Sequence, residues 1–172
     1  MKRTSQRSSQ ERRVALYPGT FDPITFGHMD LIRRGLKIFD RIIIAVASDH
    51  AKHPIFTLSE RIDLIRKTMA GTRRIEVEAF DGLVVDFALR KGAGVLLRGV
   101  RMLTDFEFEF QMALTNRKLN PRVETVFLMP NESYAYLTSR LIKEVASLGG
   151  DVRRYVPPYV YRCLRKKLSG VV

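Results

Sequence analysis

The sequence predicts an α/β fold, a single doubly wound domain on a five-stranded parallel sheet of order 3-2-1-4-5. Three observations predict it. Short apolar runs alternate with stretches whose apolar residues recur at helical spacing, the signature of strand–helix–strand units with right-handed crossovers. The run 42–47, IIIAVA, is apolar at every position, as a strand buried on both faces must be. The run 75–80, IEVEAF, alternates apolar with acidic residues, which suits an edge strand.

The elements follow in chain order. Residues 1–13 carry five basic side chains against one acid and, after Met1, nothing apolar, so they read as a disordered basic arm before a domain spanning 14–172. Strand 1 is expected at 14–17. Met29, Ile32, Leu36 and Phe39 then mark a helix whose other face holds Asp30, Arg33, Arg34 and Lys37. After strand 2, Leu58, Ile62, Ile65 and Met69 repeat the pattern, opened by Thr57 and Glu60 in capping-box spacing. Strand 3 runs to Phe80, and the Asp81-Gly82 turn leads into a helix opening at Leu83 and Val84. Strand 4 is expected at 95–97. A second box, Thr104 with Glu107, is expected to open a helix carrying Phe106, Phe110 and Leu114. DFEFEF also alternates like a strand, but the cap and the polar AxxNRK continuation decide for helix. Strand 5 is expected at 125–129, and a helix near 137–148 (Leu137, Leu141, Val145, Leu148) stops at Gly149-Gly150. Pro157-Pro158 starts a short basic tail helix through Val160, Leu164 and Leu168. The layout is Rossmann-like, and in such sheets ligands bind where strands end, next to strand 1.

Composition narrows the function. The 172 residues, 45% hydrophobic and 28% charged, are enough for one globular core. No apolar run approaches the ~20 residues that cross a bilayer, and the N-terminus lacks an apolar signal region. Cys163 is the one cysteine, so no disulfide framework is expected, and a cytoplasmic location is. The net charge of +12 raises the possibility of a nucleic-acid-binding module. Residues 151–172 hold six basic groups against one acid, so with the arm the two ends account for all but +3 of the charge. No RNP-type aromatic pattern or zinc spacing accompanies it, and neither nucleic acid nor membrane is expected as a partner.

The loop after strand 1, YPGTFDPITFGH, is where chemistry is expected. Two prolines and two glycines fix its path, and His28 falls at a helix N-terminus, where free N–H groups and the dipole favour an anion. Arg98 and Arg101 follow the fourth strand and are expected to point into the crevice with guanidinium forks suited to phosphate. These groups are donors and cations, with no nucleophile–base pair.

TFGH resembles the (H/T)xGH signature of the nucleotidyltransferase superfamily. The longer string YPGTFDPITFGHMDLI is similar to the bacterial phosphopantetheine adenylyltransferases, and the likeness continues in register through KHPIFTLSERIDLI, LLRGVRMLTDFEFEFQMALTNRKL, ETVFLMP and TSRLIKEVASLGGDV. The resemblance implies transfer of AMP from ATP to 4′-phosphopantetheine, giving dephospho-CoA and pyrophosphate without a covalent intermediate. It gives His28 the α-phosphate, Thr20 the attacking phosphate, and the backbone of Thr20 and Phe21 a contact with ATP. Lys52 and Arg98 would bind the pantetheine substrate, with Leu83 and Val84 lining its arm; Gly99, Val100 and Arg101 would bind ATP. Glu109 would contact the nucleotide, its other reading being a solvent-facing acid. Tyr134, Ala135, Tyr136, Leu137, Thr138, Ser139 and Arg140 resemble the second nucleotide segment. Thr138 and Ser139 equally suit a helix cap, and Arg140 either adds a cation or faces solvent. Thr-Ser-Arg replaces a common SSS pattern, and Phe26 replaces the more familiar Asn before Gly-His.

The resemblance also implies Mg²⁺ held mainly by ATP phosphates and water, a homohexamer, and feedback inhibition by coenzyme A. Two alternatives stay open: the same chemistry on another acceptor, such as nicotinamide mononucleotide or glycerol phosphate, and the nucleic-acid module.

Overall fold

A computed structural model describes residues 13–48 and 54–169. Five parallel strands form one sheet in the order β3-β2-β1-β4-β5, the order expected. They are β1 (Val14–Gly19), β2 (Arg41–Ala47), β3 (Ile75–Phe80), β4 (Val95–Gly99) and β5 (Glu124–Leu128). Between and after them run α1 (Phe26–Gly35), α2 (Leu58–Thr68), α3 (Val84–Arg90), α4 (Leu103–Leu119), α5 (Ser139–Ser147) and α6 (Pro158–Ser169). A 3₁₀ turn at Glu132–Tyr134 precedes α5.

Alternation along the central strands builds two cores. Ala15, Tyr17, Ile42, Ile44 and Leu97 point to one side, against Ile32 of α1, Ile65 of α2, Ile142 of α5 and Leu164 of α6. Leu16, Ile43, Ala45 and Leu96 point to the other, against Val85, Phe87 and Ala88 of α3. Residues 42–46 are fully buried because both faces are covered, and each such aliphatic side chain contributes about 1.5–3 kcal/mol. On β3 the glutamates are partly or fully exposed, as the edge position requires.

Strand β1 runs on to Gly19 and β5 spans 124–128, small shifts from expectation, and three further boundaries differ in ways that bear on the site. Strand β4 continues through Arg98 and Gly99, because both pair with Phe127 and Leu128 of β5; Arg98 thus stands on the sheet rather than after it. Helix α4 starts at Leu103 behind Met102, an N-cap without a side-chain bond, so Thr104 lies inside the helix and the Thr104–Glu107 box does not open it. Helix α5 starts only at Ser139, and its buried residues are Ile142 and Ala146, whereas Leu141 and Leu148 are exposed. The row read from sequence was one position off the buried face, because Leu137 belongs to the preceding loop.

Candidate active site

The loop leaving β1 is built to hold its shape. Phe21 has φ +51, in the left-handed region, and its ring stacks edge-on against Tyr17 (5.4 Å between centroids) and His28 (5.1 Å). A Cβ on Gly19 would stand 3.0 Å from that ring, so close approach requires glycine there. Thr25 then caps α1, its hydroxyl accepting from the His28 N–H at 3.3 Å.

His28 completes the cap in reverse. The Thr25 N–H donates to His28 Nδ1 at 3.0 Å, where a glutamate or glutamine oxygen normally serves. An N–H donor needs a lone pair, so Nδ1 is unprotonated and the neutral ring carries its proton on Nε2. Burial, reinforced by the positive charges of Arg101 and Arg98, lowers the His28 pKa to about 4. The imidazole is therefore neutral at physiological pH, with a fixed Nε2–H donor.

Two arginines stand opposite. Arg98 donates from Nη1 to the Pro18 carbonyl at 2.8 Å and from Nε to Glu109 at 2.8 Å, and its Nη2 pairs with the second Glu109 oxygen. Burial works against the Arg98 charge, but this two-pronged carboxylate contact prevails and raises its pKa. Arg101 donates from Nε to Asp105 at 2.9 Å and from Nη1 to the Leu137 carbonyl at 2.8 Å, tying the loop after β4 to the loop before α5.

Two cavities meet at Arg98. One is lined by Tyr17, Phe21, His28, Gly99, Arg101, Tyr134 and Leu137, the other by Thr20, Ala47, Phe80, Val84, Met112 and Asn116. Pro18, Gly19, Arg98 and Glu109 border both. A third depression, holding Leu83 beside Phe80 and Val84, extends the second along α4. Gly99 admits α1 closely, since Leu31 fills the place a Cβ would take.

The residues read from sequence divide accordingly. His28, Phe21, Gly99, Arg101, Glu109, Tyr134 and Leu137 gather on the first cavity, and Thr20 and Val84 on the second, with Arg98 and Glu109 between. Glu109 is buried against Arg98, which overturns its reading as a solvent-facing acid. Thr138 caps α5, accepting from Leu141 N–H at 2.9 Å, and Ser139 donates to the Pro23 carbonyl at 2.9 Å. Val100 extends the ladder to the Leu128 carbonyl and borders neither cavity. Ala135, Tyr136 and Arg140 line neither as well; Tyr136 sits edge-on to Tyr155, and Arg140 is exposed. Lys52, and residues 1–12 of the basic arm, fall outside the described residues.

Two buried charges, Asp22 and Arg61, and the half-buried partner of the first, Lys143, escaped the sequence reading. The Asp22 carboxylate accepts the N–H groups of Ile55 (3.1 Å) and Phe56 (3.0 Å) and pairs with Lys143 of α5 at 2.7 Å. Arg61, fully buried, donates to the carbonyls of Thr20 (2.8 Å), Ala47 (2.9 Å) and Phe56 (3.2 Å). Together they clamp the site loop to α5 and to both flanks of segment 48–56. The signal for Arg61 was present: it precedes Leu64 by three and Ile65 by four, on the apolar stripe of α2.

The chain matches the cytidylyltransferase-like family model over residues 16–145. It is 52% identical to the phosphopantetheine adenylyltransferase of Oleidesulfovibrio alaskensis, over 92% of this chain and 94% of the relative. The chain belongs to that family. A second member, from Caldanaerobacter subterraneus, is 49% identical over 91% of this chain and 98% of its own. Among solved structures, a bifunctional NMN adenylyltransferase/ADP ribose pyrophosphatase of Francisella tularensis has the same fold, at TM-score 0.68 and 15% identity, over 92% of this chain and 49% of that one. Every cavity residue named above lies within the 16–145 match, and α6 lies beyond it.

In this phosphopantetheine adenylyltransferase family member the lowered His28 pKa has a stability signature. Between pH 6.5 and about 4 the unfolded chain binds a proton at this histidine that the folded chain refuses, so stability falls as pH falls through that window. The His28→Gln variant should show a shallower loss there than the parent in urea melts at pH 7, 5.5 and 4.5. Equal slopes would show that the buried ring is not the origin.

Proposed function

We propose that the chain is a phosphopantetheine adenylyltransferase, transferring AMP from ATP to 4′-phosphopantetheine. A phosphate oxygen of the acceptor attacks the α-phosphorus, the bond from that phosphorus to the bridging oxygen breaks, and pyrophosphate leaves. The juxtaposition that carries this reading is the pair of cavities meeting at Arg98, one with His28 and Arg101, the other with Thr20 and Val84. Such a transfer needs two phosphates held in line and charge stabilised on oxygen, with no covalent catalyst.

In this reading ATP occupies the His28 cavity. The neutral His28 donates from Nε2 to the α-phosphate as charge builds there, and Arg101 binds the triphosphate. Phe21, Gly99, Tyr134 and Leu137, which line that cavity, frame the nucleotide, with Thr138 and Ser139 holding the start of α5 beside it; Val100, Ala135, Tyr136 and Arg140 stand outside the lining and are assigned no direct contact. Thr20, Lys52 and Arg98 hold the acceptor phosphate, and Leu83 and Val84 flank the pantetheine arm. Glu109 acts by keeping the Arg98 fork aimed between the two cavities. The carboxylates beside the first cavity, Glu109 and Asp105, are both engaged by arginines, which suits Mg²⁺ arriving on the triphosphate with its waters rather than in a protein cage. Such an ion supplies charge neutralisation on the phosphates.

Pyrophosphate release with ATP, Mg²⁺ and 4′-phosphopantetheine tests the reading, with nicotinamide mononucleotide and glycerol phosphate as competing acceptors. Turnover with phosphopantetheine alone supports it; no turnover, or preference for another acceptor, rejects it. Coenzyme A, sharing the pantetheine arm, is proposed as a feedback inhibitor, and the cytoplasm as the site of action; no helix among the described residues is long and apolar enough to cross a membrane.

A homohexamer is proposed on the outer face of α4. Leu103 (79% exposed), Phe106 (41%), Phe110 (47%) and Leu114 (50%) form a helical stripe that nothing in the single chain covers among the described residues. The double variant Leu103→Glu, Leu114→Glu should lower the mass found by light scattering to that of smaller assemblies. An unchanged mass would remove α4 from the interface.

A further inference from the structure

Tyr17 closes the floor of the His28 cavity, yet no role in the reaction has been given to it. It is the fourth residue of β1, only 5% exposed, with its ring edge-on to Phe21 at 5.4 Å and 6.4 Å from the His28 ring. Its hydroxyl has no hydrogen bond to any described residue. Nor is the oxygen sealed off in the core; among the described residues the sealed, unpartnered side-chain atoms are Arg41 Nε and Thr68 Oγ1. The hydroxyl therefore opens on the cavity that its ring lines.

The neighbours make this informative. Both arginines of the cavity spend part of their donors on protein, Arg98 on Glu109 and Pro18, Arg101 on Asp105 and Leu137, and keep the rest for phosphate. His28 Nδ1 is taken by the Thr25 N–H. The Tyr17 oxygen is an unengaged polar group in a cavity edged by two cations, where an anionic ligand would lie. Packing against Phe21 and Ile44 would be served as well by phenylalanine. A hydroxyl that no protein group engages, set at the wall of a cavity edged by cations, is placed to meet a group of the bound ligand.

We propose that Tyr17 is a nucleotide-binding residue, its hydroxyl donating a hydrogen bond to the bound nucleoside triphosphate from beneath. This rests on the assignment of the His28 cavity to ATP. Burial raises the phenol pKa against the pull of Arg98 and Arg101, so the hydroxyl keeps its proton and acts as a donor throughout the working pH range. Tyr17 borders the His28 cavity and not the Thr20 cavity, so its effect is confined to one substrate.

The test is Tyr17→Phe, which keeps the ring. Calorimetric Kd for ATP should rise about tenfold, the size of one charge-assisted hydrogen bond, with kcat/KM for ATP falling in step. KM for phosphopantetheine should stay within twofold, and the ligand-free Tm should hold or rise because an unpartnered hydroxyl has gone. A Kd for ATP within twofold of the parent, or a rise in phosphopantetheine KM alone, would overturn the proposal. ATP binding is measured without turnover, so a parent protein that bound ATP but failed on phosphopantetheine would reject the acceptor assignment and leave the Tyr17 result decisive.

Discussion

Replacing His28 with alanine is expected to lower kcat by about 10²–10³-fold, the cost of removing one fixed donor from the site of developing negative charge. The donor is fixed before substrate arrives, because the Thr25 N–H at 3.0 Å holds the ring by Nδ1 and leaves the proton on Nε2. Alanine also loses half of the α1 capping box, worth about 1 kcal/mol. The catalytic loss corresponds to about 2.7–4 kcal/mol, so it exceeds the structural one severalfold. Single-turnover pyrophosphate release separates them: the chemical step should slow by those orders of magnitude, while Kd for ATP changes by less than tenfold and Tm drops by only a few degrees. A kcat within about fivefold of the parent would falsify the transition-state role.

Asp22→Ala is expected to produce a large loss of stability, about 3–5 kcal/mol, because it removes a buried carboxylate and leaves its three donors without an acceptor. The carboxylate is 2% exposed and serves three donors: Ile55 N–H, Phe56 N–H and Lys143 Nζ. Alanine leaves two amides without acceptors and the Lys143 ammonium, itself 26% exposed, without its counter-charge. At roughly 2–4 °C per kcal/mol for a domain of this size, Tm should fall by about 6–20 °C. Lys143→Met should cost far less, since Asp22 keeps both amide donors and methionine fills the stem's volume. Comparable losses in the two variants would mean that the carboxylate matters only as the partner of Lys143. Asp22→Ala loosens both α5 and the 54–57 segment from the site loop, whereas Lys143→Met loosens α5 alone, so KM should rise for each substrate before kcat falls, and more in the first variant.

Different parts of the molecule were legible for different reasons. Residues 42–47 announced a central strand because burial on both faces leaves no polar position, and 75–80 announced an edge because one face meets water. The Thr57–Glu60 box was readable because a cap is local, its bonds spanning three residues. Helix α4 was harder. Its apolar residues are spread around the helix among as many polar ones, so it has no amphipathic stripe to fix its phase, and Thr104 suggested a start that the backbone does not use.

The site divides along the same line. His28, Arg98 and Arg101 stand in short motifs at strand ends, where the fold class already locates ligands. The Thr25–His28 reciprocal cap, which sets the tautomer, was hidden because histidine is an unusual partner at that position. The Asp22–Lys143 and Arg61–Thr20 contacts span 121 and 41 residues, and the second ends on a backbone carbonyl that any residue supplies.

The chain's own order of residues determined the layers, the strand order and the places of His28, Arg98 and Arg101, the groups proposed to bind phosphate, since periodicity, caps and strand ends are properties of neighbours along the chain. The tertiary structure alone decided which proton His28 carries, that Glu109 faces Arg98 rather than water, and that Tyr17 offers a free hydroxyl. Those depend on burial and on partners brought from distant segments, and no local pattern encodes the distance between groups that meet only when the sheet closes.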